Sequence, residues 1–233
     1  MSSGELSSAA TRHPWDWYVE ESWVTDALID TLRGPLCGGY EQWFDIDLIW
    51  DPCCGLGNTL EPFARRGLAV AGTDIQQRTN SPAFLFEHDF LGDQTCLLDI
   101  HKNKSIVFNP PYSNQAGRKV AGLAEKFIRK AIKLNPWTLC ALLPVKWLAS
   151  EGRHKLFTEY PPLFILILSE RPSMPPGDQV EALGKKAFRH GKVDYMWVVW
   201  DFHAPCDEIE PGETRTIWIA PRPKNRKSKR GRS

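Results

Sequence analysis

The sequence predicts one α/β domain over residues 1–220, a mostly parallel sheet with helices on both faces, followed by a basic tail at 221–233. Two observations predict it. Short β-rich apolar runs alternate with segments of helical periodicity, the pattern of successive strand–helix crossovers. The chemically distinctive residues also fall where those strands end, which is where such sheets bind ligands.

Residues 13–33 open with His13-Pro-Trp-Asp-Trp-Tyr18 and are expected to continue as a helix. Trp23, Ala27, Leu28 and Leu32 lie near helical spacing, and Gly34-Pro35 ends it. Ile46–Asp51 reads as the first strand, stopped by Pro52 and followed by a glycine turn and a helix to Arg66. Leu68–Ile75, Ala83–Phe86 and Ser105–Phe108 read as strands two to four. Lys119–Leu134 is amphipathic, with Val120, Leu123, Ala124, Phe127, Ile128 and Ala131 on one face. Trp137–Val145 is strand five and Lys146–Tyr160 a helix; Phe164–Leu168 and Tyr195–Trp200 are strands six and seven, and Thr216–Ala220 adds a short edge strand. The stretch Arg171–Lys192 is too long for a simple connector, and loops of that length in compact domains tend to be functional.

Hydrophobic residues make up 42% and charged residues 24%, an ordinary balance for a water-soluble globular chain. No apolar run approaches the ~20 residues of a membrane span, and residues 1–12 lack the apolar core of a signal peptide. A cytoplasmic protein without a membrane partner is expected. The six cysteines form no C-x-x-C pair and no cluster with histidine, which argues against a disulfide framework and against a metal site. The net charge of +1 hides an asymmetry: seven basic residues and no acidic ones fall in 221–233, leaving an acidic body. Such a tail is expected to be disordered and is equally suited to solubilising the chain or to contacting phosphates.

Asp51-Pro-Cys-Cys-Gly55-Leu-Gly57 sits between a strand and a helix. Glycines at 55 and 57 allow a sharp turn and close approach to a ligand. Position 60 is Leu, so the third glycine of a dinucleotide fingerprint is missing, and Asp51 at the strand end would repel a phosphate. A zwitterionic amino-acid ligand with a cationic ammonium suits the motif better. Asp74 ends the next strand, where a carboxylate can accept two ribose hydroxyls. Asp89 ends the third and can accept from an adenine amine, with Ile75 or Phe90 covering the ring. Taken singly, each of these aspartates is as readily a helix cap.

Asn109-Pro110-Pro111-Tyr112 directly follows the fourth strand. The prolines fix φ and push Asn109 out of the helical region, giving a stiff corner that presents a side-chain amide. The Asn109 side-chain oxygen and the Pro110 carbonyl can accept the two hydrogens of a planar amine and bias its lone pair towards an electrophilic methyl group. Catalysis would then rest on positioning and electrostatics, with no metal or covalent intermediate. Tyr112 supplies a ring for stacking, worth roughly 1–3 kcal/mol with a base.

Together these residues resemble the N6-adenine methyltransferases with the gamma-type motif order, in which the glycine loop precedes N-P-P-Y. The resemblance spans Trp15 to Trp200 and implies a Rossmann-like seven-stranded methyltransferase sheet with a reversed last strand. It implies S-adenosyl-L-methionine as cofactor. Tyr18, Asp51, Pro52, Cys53, Gly55, Gly57, Asp74, Ile75, Asp89, Phe90 and Asn109 would bind it, and Asn109, Pro110, Pro111 and Tyr112 would form the catalytic corner. Trp15–Trp23, including Tyr18 and Glu20, resembles the segment that closes over the methionine end, and Leu142–Trp147 the turn beside the target pocket, with Trp147 and Trp197 as candidate borders. Arg171–Gly177 and Asp194–Asp201 are similar to segments of short phage and prophage methyltransferases. The implied partner is nucleic acid, DNA before RNA, with the target adenine flipped from the stack if the substrate is a duplex. Over 233 residues, the separate recognition domain of restriction-type members is not expected. Two alternatives share the motifs: a protein glutamine-N5 methyltransferase, which usually carries an extra N-terminal helical domain, and a non-catalytic module on the same scaffold, which would not need Asn109 or Asp51.

Overall fold

A computed structural model describes residues 13–37, 46–189, 191–202, 210 and 212–223. Eight strands form the main sheet: β1 (Leu48–Asp51), β2 (Val70–Asp74), β3 (Phe84–Glu87), β4 (Lys104–Phe108), β7 (Thr138–Pro144), β8 (Phe164–Leu168), β9 (Tyr195–Asp201) and β10 (Arg215–Ile219). Residues Asn114–Gln115 (β5) and Arg118–Lys119 (β6) form a separate antiparallel hairpin. The helices are α1 (Trp23–Arg33), α2 (Glu61–Ala64), α3 (Leu97–Ile100), α4 (Leu123–Lys133), α5 (Glu151–Glu159) and α6 (Gly177–Leu183).

The strand order is β10-β8-β9-β7-β4-β1-β2-β3. Every pairing is parallel except those of β9, which runs antiparallel to both β7 and β8. The seventh strand is therefore the reversed one, inserted between the fifth and sixth, as the sequence resemblance implies. The edge strand expected at 216–220 is present as β10, an eighth strand parallel to β8.

The central strands are apolar without alternation because both faces are covered. In β7, Cys140 and Leu142 face a core shared with α1 residues Val24, Leu28, Ile29 and Leu32. Leu139, Ala141 and Leu143 face the opposite core, filled by α4 residues Leu123, Ala124, Phe127, Ile128 and Ala131. β9 divides in the same way, with Trp197 on the first face and Met196, Val198 and Trp200 on the second. Trp197, a candidate border of the target pocket from sequence, is instead fully buried and donates to the Val24 carbonyl at 3.0 Å.

Several helices are shorter than their patterns suggest. α1 starts at Trp23, because residues 13–22 are spent on contacts with loops distant in sequence. α4 starts at Leu123, because 118–119 pair back onto 114–115. The stretch after β7 is a 3-10 turn at Val145–Leu148, and Ser150, whose hydroxyl accepts the Arg153 N–H, caps α5. The 171–192 stretch contains α6. Of the tail, 224–233 lies outside the described residues. Arg222 is tied down: its guanidinium bonds Glu170 and sits 4.1 Å from the Trp23 ring centre. Residues 1–12 and 38–45 of the N-terminal segment also lie outside the described residues. No described helix is long and apolar enough to cross a membrane.

Leu142 is fully buried in the central strand β7, in the core shared with α1. Leu142→Ala is expected to lower unfolding free energy by about 2–5 kcal/mol, read from the urea midpoint at unchanged m-value.

Candidate functional site

From β1 the chain winds outward through β2 and β3, then crosses back to place β4 on the other side of β1. Order reverses at the β1/β4 pair, so the loops leaving these two strands diverge and open a crevice at their carboxyl ends. The glycine loop leaves β1 and the Asn-Pro-Pro-Tyr corner leaves β4. The Cys53 thiol approaches the Asn109 carbonyl oxygen at 3.5 Å, joining the two loops.

A cleft occupies this crevice. Of the residues singled out from sequence, Tyr18, Pro52, Cys53, Gly55, Asp74, Ile75, Asp89, Phe90, Asn109 and Pro111 line it. Gly57 and Pro110 are buried behind the lining, and Asp51 lies beneath the loop, accepting the Cys53 N–H at 3.0 Å. Gly55 and Gly57 adopt φ of +52° and +88°, and a Cβ on Gly55 would stand 2.8 Å from Trp17 Nε1. Glycine is required at both positions. Asp74 is 5% exposed; one oxygen accepts the Gly55 N–H at 2.9 Å and the other takes Gln76 N–H and Arg78 Nε, each at 3.2 Å. Arg78 also lies 4.4 Å from the centre of the Trp17 ring, closing this corner of the cleft.

The segment before α1 straps the site together. Asp16, in a left-handed conformation at φ 50°, accepts three consecutive N–H groups of the corner: Tyr112 at 3.1 Å, Ser113 at 2.6 Å and Asn114 at 2.8 Å. Trp17 O accepts from Gly177 N, and Val19 N donates to Pro175 O, so the strap also pairs with the 171–177 stretch. The Trp17 ring rests directly on Gly177, where an added Cβ would stand 2.0 Å from ring carbon.

Glu20 completes the site. It is 4% exposed and accepts the Thr59 hydroxyl and, at 2.8 Å, Asn109 Nδ2. Asn109 Nδ2 also donates to the Tyr18 carbonyl at 3.1 Å, and Asn109 Oδ1 accepts the Tyr112 hydroxyl at 2.7 Å. The amide is thus fixed with its oxygen on the Tyr112 side, where a carbonyl-type oxygen retains a second lone pair for another donor. Glu20, Asp51 and Asp74 place three buried carboxylates around one glycine loop. Burial pushes the Glu20 and Asp51 carboxyls up, Asp51 well above its usual range, with the charges of Glu20 and Asp74 adding to the effect on Asp51. Burial and the Asp51 charge likewise push the Cys53 and Cys54 thiols up, which suits inert rather than nucleophilic cysteines.

Tyr112 lies outside this cleft and lines a second on the other side of the corner. Tyr18 is common to both. The second cleft is walled by Pro144, Trp147, Pro175, Pro176 and Tyr195, with exposed Lys146 and Lys192 at its rim. The Arg153 guanidinium lies 4.2 Å from the centre of the Trp147 ring. Glu20 was singled out from sequence as part of the closing segment but not as a partner of Asn109, and Asp16, Trp17, Thr59 and Arg78 were not singled out; each acts through a partner distant in sequence. The Asp-Trp-Tyr-Val-Glu run ahead of a helix was the one available signal.

No protein-family model matches the chain, and no curated sequence is significantly similar to it. Solved structures share its fold. A cryo-EM structure of a DrdV–DNA complex aligns with 87% of this chain and 27% of its own, at 12% identity and a TM-score of 0.54. The crystal structure of the M protein of the type I restriction enzyme EcoKI aligns with 81% of this chain and 44% of its own, at 14% identity and a TM-score of 0.50. This is a Rossmann-like methyltransferase fold. The chain spans less than half the length of either neighbour. Magnesium protoporphyrin IX methyltransferase from Synechocystis, solved with bound S-adenosylmethionine, aligns with 77% of this chain and 79% of its own at 14% identity and a TM-score of 0.47.

A carboxyl whose folded-state pKa is raised holds a proton that the unfolded chain releases. Stability therefore falls as pH rises from the ordinary carboxylate range through the raised value, and levels off above it. Glu20→Gln removes this contribution, so its melting temperature should fall less over that interval than that of the parent protein. Parallel curves would show that Glu20 titrates normally.

Proposed function

We propose that this protein is an S-adenosylmethionine-dependent methyltransferase acting on the exocyclic N6 amine of adenine in nucleic acid, with DNA preferred to RNA. The observation that carries the proposal is the pair of clefts meeting at Asn109-Pro110-Pro111-Tyr112. One is acidic and glycine-walled; the other is aromatic with a basic rim.

The first cleft suits the cofactor. Its carboxylates, Glu20 and Asp74 in the wall with Asp51 behind, repel phosphates and favour a ligand carrying an ammonium and a sulfonium. Asp74 would take ribose hydroxyls once Arg78 yields, and Ile75, Asp89 and Phe90, which line the same cleft, would surround an adenine ring. The cofactor supplies an electrophilic methyl group. Asn109 Oδ1 and the Pro110 carbonyl would hold the two hydrogens of the target amine. Glu20 holds the asparagine amide in the orientation this needs. Pro144, Trp147 and Tyr195 surround space for a planar base beside Tyr112, and Lys146 and Lys192 can meet phosphates at the rim. The DNA complex and restriction-enzyme subunit among the fold neighbours agree with a nucleic-acid substrate.

A protein glutamine amide presents the same flat nitrogen and remains the second reading, although the basic rim and aromatic walls favour a base. Incubating the full chain with methyl-labelled cofactor and DNA, RNA or protein extract separates the readings. Label is expected in DNA adenine, and Asn109→Ala should reduce it by at least about 100-fold, the scale of losing one preorganised polar contact to the reacting group. Label in protein alone, or in cytosine, would reject the proposal. In a second test, Asp74→Ala should weaken cofactor binding measured by calorimetry while leaving target choice unchanged; unaltered affinity would remove Asp74 from the ribose site.

A further inference from the structure

Beyond the end of β3, on the side of the first cleft that holds Asp89 and Phe90, three side chains of different chemistry converge. His88, Cys96 and Asp99 each bring a ligand-capable atom within 4.8 Å of the other two. His88 and Asp99 are each 8% exposed, and Cys96 is half-buried. Their sequence spacing matches no familiar metal motif; the His88 main chain, which donates to the Asp74 carbonyl at 2.7 Å, brings the imidazole to the start of α3.

Part of this closeness has a local cause. Cys96 and Asp99 form a capping box on α3, in which Cys96 Sγ accepts the Asp99 N–H and Asp99 Oδ2 accepts the Cys96 N–H at 2.8 Å. The box does not account for the rest. Asp99 Oδ1 and His88 Nε2 are both buried without a hydrogen-bond partner among the described residues. Nearly all buried polar atoms find one, so two orphans in one three-residue cluster call for a shared ligand. That ligand must accept a carboxylate oxygen and an imidazole nitrogen at once. In the tautomer with the histidine proton on Nδ1, His88 Nε2 and Asp99 Oδ1 both present lone pairs, and a cation satisfies both.

We infer that His88, Cys96 and Asp99 bind a zinc ion that ties the end of β3 to α3. Thiolate, imidazole and carboxylate together are a ligand set suited to zinc rather than to calcium or magnesium. Zinc bonds of about 2.0–2.3 Å place ligand atoms roughly 3.3–3.8 Å apart, so the cluster needs only a small contraction. Binding forms a Zn–S bond and releases the thiol proton to solvent. The thiolate and the carboxylate then balance the charge of the metal. The Lys104 ammonium is held by the main-chain carbonyls of Asp99, His101 and Leu134. Water can fill the fourth tetrahedral position. The metal would brace the wall carrying Asp89 and Phe90, and the inference is independent of the methyl-transfer reading.

Two substitutions separate ligation from capping. Serine is the better N-cap, so Cys96→Ser keeps or strengthens α3 while removing the soft ligand. Asp99→Asn keeps an oxygen to accept the Cys96 N–H but removes the charge. The full chain is stripped with a chelator, titrated with Zn²⁺ or Co²⁺, and followed by metal content, thiolate-to-cobalt absorption and melting temperature. The parent protein and a His154→Ala control on exposed α5 should bind one zinc per chain, show the cobalt–thiolate band, and melt higher as zinc is added. His88→Ala and Cys96→Ser should lose the metal without a lower metal-free melting temperature in the serine variant. Asp99→Asn should bind at least about 10-fold more weakly, since even partners outside the ligand shell cost that much. Equal zinc uptake by the parent and Cys96→Ser, or a cobalt spectrum without the thiolate band, would overturn the site.

Discussion

The parallel pairing of Leu48–Trp50 with Lys104–Ile106 is the constraint on which the rest of the molecule depends. It joins two strands far apart in sequence at the point where the sheet reverses its order. The loop after each strand must then turn away from its neighbour, and the gap between them becomes the crevice. Chemistry placed in those loops is brought together whatever the surface elsewhere does. The fully buried Trp50, Ile106, Val107 and Phe108 hold the pairing, so the site inherits the rigidity of the core.

A crevice made by diverging loops is open on one side, and here the strap 13–22 covers it. The Trp17 ring against Gly177 and the buried Val19 pack the strap down. It is also fastened by directed polar bonds, chiefly the Asp16 carboxylate on three successive N–H groups and the Glu20 carboxylate on Asn109 and Thr59. Such bonds fix orientation as well as position. Glu20, within the strap that covers the cleft, therefore also sets which way the Asn109 amide points.

Three carboxylates around a single loop are expensive to bury, and the raised Glu20 and Asp51 carboxyls register that cost. A cation arriving in the cleft offsets it. The neighbouring second cleft has the opposite character, with aromatic walls and lysines at the rim. The two environments lie on either side of one stiff corner, so each cleft suits a ligand of opposite charge to the other's.

Much of this was legible in the chain. Strand–helix alternation set the layer order, and uninterrupted apolar runs at Thr138–Pro144 and Tyr195–Asp201 marked strands covered on both faces. Asp51-Pro-Cys-Cys-Gly-Leu-Gly and Asn-Pro-Pro-Tyr identified the two loops because glycine and proline have local backbone requirements that sequence states directly. What the tertiary structure decided was everything that depends on a partner distant in the chain. Asp51 sits under its loop rather than in the cleft, Tyr112 faces the second cleft, Trp197 belongs to the core, and Asp16 and Glu20 reach across more than eighty residues to bond the corner after β4. His88, Cys96 and Asp99 show no spacing rule and meet only because β3 ends beside α3. Backbone preference is a property of neighbours in sequence, whereas a carboxylate or an imidazole takes its role from whatever group folding sets within bonding distance.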